Sequence, residues 1–229
     1  MVIWRILEMV WAGAVLIGLP ISSRSLGRRL REEPAERMDM YASAVLSHIL
    51  LLVPTLLLDL KGDRAGIHLL LGSLPWPRFI LWTLGTLAAC IAMWAAMLLE
   101  TKMHPENSDA VVLGMLPRTR REMAAFSGVS LTAGFAEEYL LRGFCLGVVA
   151  LATGSMWLAA AVTTISFGLT HLYQGPRGAV RATILGAVLA IPVVATGALA
   201  PSMIAHAATD LVSGRWTLRF LRRWGIAAE

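Results

Sequence analysis

The sequence predicts an all-α protein, a polytopic bundle of about seven membrane-spanning helices with its N-terminus outside and its C-terminus in the cytoplasm. Three observations predict it. Of 229 residues, 57% are hydrophobic and only 15% are charged, whereas a soluble domain carries about a quarter charged. The deficit is concentrated in uncharged runs at 41–58, 79–99 and 143–170, and about 20 apolar residues cross a bilayer as a helix. The cations fall between those runs, mostly on one side.

The elements follow in order. Residues 2–22 form the first span. Arg5 and the apolar run 9–21 have the outline of a cleaved leader, but Glu8 interrupts the basic region and no small-x-small cleavage site precedes Arg24. The linker 22–40 is charged and helical in part. Spans at 41–60 and 79–99 come next. The stretch 101–124 begins polar and ends in a basic run after Pro117, so its second half reads as an interfacial helix with Pro117 near its start. Spans at 126–150, 155–173, 179–196 and 199–214 follow, the first two separated by a turn at Gly154-Ser155.

With seven spans, one side receives 15 Lys and Arg and the other receives 4. The positive-inside rule makes the richer side cytoplasmic. An eighth span over 103–116 is the alternative, and it would spoil that asymmetry. The chain divides into an N-terminal part without a recognisable motif (1–100), a cytoplasmic or interfacial linker (101–125), a four-helix core (126–214) and a basic tail (215–229). Arg215, Arg219, Arg222 and Arg223 suit a membrane surface. The net charge of +5 is therefore no sign of nucleic acid; the bases lie where anionic headgroups are. Cys90 and Cys145 sit within apolar runs without metal-ligand spacing and read as small buried hydrophobes.

Function is concentrated in a few polar residues at membrane depth. Residues 134–143 read G-F-A-E-E-Y-L-L-R-G. Ionised side chains there cost roughly 2.5–3.5 kcal/mol each, so they are rare and usually functional. Glu138 and Arg142 are four apart, neighbours on one helical face, and pairing offsets their burial. Glu137 is turned about 100° away, with Leu141 four residues on, and is left free as a general base. Phe167 and His171 share a face of the next span, and His206 and Asp210 share a face of the last. Asp210 can fix the tautomer of His206. His48 and Asp59 are expected to face the bundle or the headgroups, and His68 and His104 to lie in loops. No Ser or Cys stands beside a base in a recognisable setting, so a covalent mechanism is disfavoured; Glu137 offers a base for water, His171 can share that activation or assist protonation of the leaving amine, and His206 offers a second imidazole.

Glu137-Glu138-x-x-x-Arg142-Gly143, Phe167-x-x-x-His171 and His206-x-x-x-Asp210, in this order on successive apolar helices, resemble the three motifs of the CPBP (Abi) family. That family includes the type II CAAX prenyl endopeptidases and bacterial relatives linked to bacteriocin processing and immunity. The resemblance covers about residues 113–214. It implies an intramembrane endopeptidase, open between helices towards cytoplasm and lipid, acting on a membrane-associated protein or peptide. It further implies that Glu137 with His171 activates the water, that Glu138 holds Arg142, and that His206 with residue 210 stabilises the oxyanion. Family members often carry Asn at the last position. Asp210, unable to donate when ionised, instead suits orientation of His206 or support of a metal. One divalent ion such as zinc, on Glu137, His171 and His206, is one option and metal-free activation is the other. The expected location is a bacterial inner membrane. Sequence leaves the oligomeric state and the choice of substrate open. A non-catalytic protein of bacteriocin immunity or peptide secretion is the competing reading. A coupled transporter is a third, without the paired broken segments or inverted repeat it would need.

Overall fold

The computed structural model describes residues 2–70 and 72–226, and every regular element among them is helical. In chain order these are α1 (Val2–Glu32), α2 (Arg37–Lys61), α3 (Ala65–Leu70), α4 (Trp76–Met103), α5 (Ala110–Met115), α6 (Arg120–Glu138), a π-helical segment (Tyr139–Cys145), α7 (Leu146–Thr153), α8 (Met156–Thr170), α9 (Gly175–Thr196) and α10 (Ala200–Arg223). Single 3-10 turns sit at Pro105–Asn107 and Leu172–Gln174. Met1 and residues 227–229, at the ends of the expected N-terminal part and basic tail, lie outside the described residues.

Four helical runs are long and apolar enough to cross a bilayer: Val2–Glu32, Arg37–Lys61, Trp76–Met103 and Leu172–Thr196. The others expected as spans fall short for visible reasons. Helix α8 is apolar but has 15 residues, about 22 Å at 1.5 Å per residue, and α6 and α10 carry the polar residues of the site. The surface suits lipid. Leu46, Leu50, Val53 and Leu57 on α2 and Ile17 and Ile21 on α1 are exposed, while Glu8, Asp59, Glu138 and Arg142 are buried. A soluble helix shows the reverse distribution.

Boundaries shift where local chemistry dictates. Helix α1 runs through the charged linker to Glu32, and α4 extends to Met103. In the stretch expected to form an interfacial helix, the short helix α5 ends before Pro117 and α6 begins three residues beyond it, at Arg120. Helix α6 starts at a capping box in which Thr119 Oγ1 accepts from the Glu122 amide at 3.1 Å and Glu122 accepts from the Thr119 amide at 3.0 Å. The turn at Gly154-Ser155 is as expected, with Gly154 left-handed at φ 70° and Ser155 capping α8. His68, expected in a loop, lies in the short helix α3. Cys90 and Cys145 are buried and free.

The π-helical segment is the hub of the bundle. All seven of its residues are buried, and it touches α1, α2, α3, α6, α7 and α8. Asp59, from the end of α2, fastens it. Its carboxylate accepts from the Tyr139 hydroxyl at 2.5 Å and from the Gly66 and Ile67 amides at 3.2 and 2.8 Å, so a buried acid holds α3 against the hub. Helix α6 lies between α2 and α10, while α8 lies against α1, α7 and α9. At Gly134 the backbones of α6 and α10 meet closely: a Cβ there would stand 2.8 Å from both the Ala207 nitrogen and the Met203 oxygen. A small residue is what lets two membrane helices approach so near. That approach brings the acids of α6 beside the histidine of α10.

Candidate functional site

The site has two layers, one behind the other. The rear layer is sealed. Glu138 and Arg142 are both 0% exposed, and Arg142 Nη1 donates to Glu138 Oε1 at 3.0 Å. His206 Nδ1 donates to the same oxygen at 2.9 Å. The Arg142 guanidinium lies over the Phe167 ring, 4.1 Å from its centroid, an arrangement in which the ring face offsets part of the desolvation of the cation. Phe167 also meets the edge of His206, their centroids 6.0 Å apart. One phenyl ring therefore packs against both the arginine and the histidine that share the Glu138 oxygen.

Gly186 on α9 closes this layer. A Cβ there would come within 2.6 Å of Arg142 Nη2 and 2.9 Å of Phe167 Cδ1, so any side chain must push the guanidinium or the ring aside. Gly186→Leu is expected to cost about 1–3 kcal/mol of stability by overpacking. Thermal unfolding of the detergent-solubilised protein checks this, with Ala187→Leu on the exposed face of the same helix as the neutral control.

The front layer faces a cavity of about 280 Å³ whose lining includes Ser22, His48, Glu137, Phe167, His171 and Tyr173. Helix α8 ends at Thr170, which leaves His171 as its capping residue. His171 Nδ1 lies 2.8 Å from the Phe167 carbonyl. A carbonyl only accepts, so Nδ1 carries the proton and Nε2 is left with a lone pair. Glu137 Oε1 lies 3.2 Å from His48 Nε2, and Oε2 takes no hydrogen bond among the described residues. Tyr173 projects beside His171, ring centroids 5.9 Å apart, and its hydroxyl oxygen accepts from Gln174 Nε2 at 2.8 Å.

The expected constellation is thus split. Glu137 and His171 share the cavity, with Phe167 beneath them. Glu138 and Arg142 pair as their spacing suggests, and Gly143 lies buried in the π-helical segment. His206 does not line the cavity; it stands behind, on Glu138. Its other nitrogen is 3.7 Å from Asp210 Oδ2, too far for a hydrogen bond, so Glu138 rather than Asp210 sets its tautomer.

No three His, Cys, Asp or Glu side chains among the described residues come together in a way that could hold a metal ion. Glu137, His171 and His206 are each turned to a different partner in this structure, and no step below passes through a metal.

Sequence reasoning missed His48 and Tyr173. His48 carried a signal, being an ionisable group in the middle of an apolar run, the same cue that singled out His171 and His206. Tyr173 carried none, because a tyrosine just beyond a helix end is ordinary at a membrane interface.

Residues 119–212 match the family model for the type II CAAX prenyl endopeptidase Rce1-like domain, a match consistent with a CPBP family protease. It spans α6, the π-helical segment and α7 to α9, and ends within α10. Neither the curated proteins nor the solved structures give a match.

Proposed function

We propose, on the premise that residues 119–212 form an Rce1-like type II CAAX prenyl endopeptidase domain, that this integral membrane protein is an endopeptidase. It would hydrolyse a peptide bond of a membrane-associated protein or peptide with an activated water. The observation that carries this reading is Glu137 with its free Oε2 in one cavity with the bare Nε2 of His171. A water held between them donates one hydrogen to each. Its oxygen attacks the scissile carbonyl as a proton passes to Glu137, forming the C–O bond while the carbonyl electrons move onto oxygen. Collapse of the tetrahedral intermediate breaks the C–N bond, and Glu137 returns the proton to the departing amine.

The oxyanion needs a donor. His206 stands behind Phe167, and a donor that the cavity offers beside His171 is the Tyr173 hydroxyl, whose oxygen accepts from Gln174 and whose own hydrogen stays free to point inward. Tyr173→Phe is expected to lower the turnover rate about 10²- to 10³-fold, the size of effect seen on losing one oxyanion donor, with a much smaller effect on the substrate concentration needed for half-maximal cleavage. Phe167 and the glutamate–arginine–histidine group behind it hold the front pair in place.

The test is a comparison of peptides released from membranes carrying the wild-type chain or Glu137→Gln, read by mass spectrometry. Peptides present only with the wild type support the reading and identify the substrate. Identical sets would leave a binding or immunity role.

A further inference from the structure

Among the described residues, His48 is the one cavity-lining group that the three motifs leave unused and that is hydrogen-bonded to Glu137. It comes from α2, outside the stretch matched to the family. Its two nitrogens reach two points on α6: Nδ1 is 3.0 Å from Thr132 Oγ1, and Nε2 is 3.2 Å from Glu137 Oε1. The imidazole is a bridge laid across one and a half turns of α6 from a different helix.

The donor and acceptor at the Glu137 end of this bridge are fixed. A carboxylate oxygen has no hydrogen to give, so Nε2 donates to Glu137 Oε1. At the other end Thr132 Oγ1, 3.0 Å from Nδ1 and 3.0 Å from the Val129 carbonyl, holds the ring as donor or acceptor. The pairing also occupies Oε1 and leaves Oε2 for the water.

From this geometry we infer that His48 is the positioning residue of the site, an imidazole clamped between Thr132 and Glu137 that fixes which carboxylate oxygen faces the substrate. The inference rests on the reading of Glu137 as the base. It also means that the matched domain is incomplete by itself, because α2 supplies the partner of its base.

The test uses the full chain, ¹⁵N-labelled at histidine, in lipid nanodiscs. With five histidines, the His48 signals are assigned by their loss in His48→Gln. Nε2 of His48 is expected to carry a hydrogen in the wild type, and its signal is expected to move in Glu137→Leu, which offers it no acceptor. A bare Nε2 in the wild type, or a His48 Nε2 signal unchanged by Glu137→Leu, overturns the inference without needing any substrate. A functional arm follows the peptides whose release depends on Glu137. His48→Phe, which keeps a ring and removes both nitrogens, should slow their release about tenfold to a hundredfold, the scale of a misplaced catalytic group. His48→Gln, whose amide can still donate to Oε1, should recover part of that rate, which a purely space-filling role would not allow. Wild-type release by His48→Phe also overturns it. If instead Glu137→Gln releases every peptide, the base reading fails, while the spectroscopic result on the pair stands or falls separately.

Discussion

Arg142→Ala is expected to destabilise the folded protein by about 3–5 kcal/mol, the largest stability effect of any single substitution considered. The reason is not the strength of the ion pair. Taking both charges out of water costs about as much as their attraction returns, so the intact pair contributes little net stability. Removing one partner is different: Glu138 is 0% exposed and would keep its charge with only His206 beside it. Truncation also empties the space over Phe167, where the guanidinium lies 4.1 Å from the ring centroid. A double variant separates the two contributions. Arg142→Met fills most of the space, and adding Glu138→Gln removes the stranded charge, so the double variant should be more stable than Arg142→Met alone. Unfolding in mixed micelles, followed by tryptophan fluorescence, checks both comparisons. Equal stability of Arg142→Ala and wild type would mean that the rear layer is not a buried pair.

Glu137→Gln is expected to lower cleavage about 10²- to 10⁴-fold, the range that a positioned general base contributes, while leaving the fold intact. The contrast with Arg142 comes from placement. The Glu137 side chain is 27% exposed to the cavity, so the substitution strands no sealed charge. The carboxamide keeps the shape of the carboxylate and can still meet His48. What it loses is basicity: an amide oxygen does not take a proton from water. Cleavage of a substrate identified by the peptide comparison, together with the thermal midpoint of the same preparation, gives the two numbers that matter. Loss of both would turn the expected catalytic effect into a structural one, and retention of both would remove Glu137 from the chemistry.

These two residues show how far local pattern reaches. Glu138 and Arg142 were legible because four residues along a helix is a distance the sequence states directly, and the pair forms as that spacing implies. Glu137 was legible as the acid on the other face. The partner that each acid acquires from elsewhere was not. His206 lies 68 residues from Glu138, and His48 lies 89 residues from Glu137. Both contacts depend on how far α2 and α10 are rotated about their own axes against α6. Asp210 illustrates the same limit, since i, i+4 spacing places it beside His206 but leaves the last ångström to packing. The π-helical turn and the partner that Gly134 meets on α10 belong to this class too, because the residues within each stretch do not name the neighbour they pack against.

By itself the sequence determined that the chain is helical, that it resides in a membrane, and which few polar groups are too costly there to be incidental. Those conclusions follow from composition, periodicity and the price of burying a charge, all of which are properties of short stretches. Only the tertiary structure decided which groups share the cavity and which stand sealed behind it. Helices brought together in a bilayer choose partners by rotation and crossing. That choice put His48 rather than His206 beside Glu137.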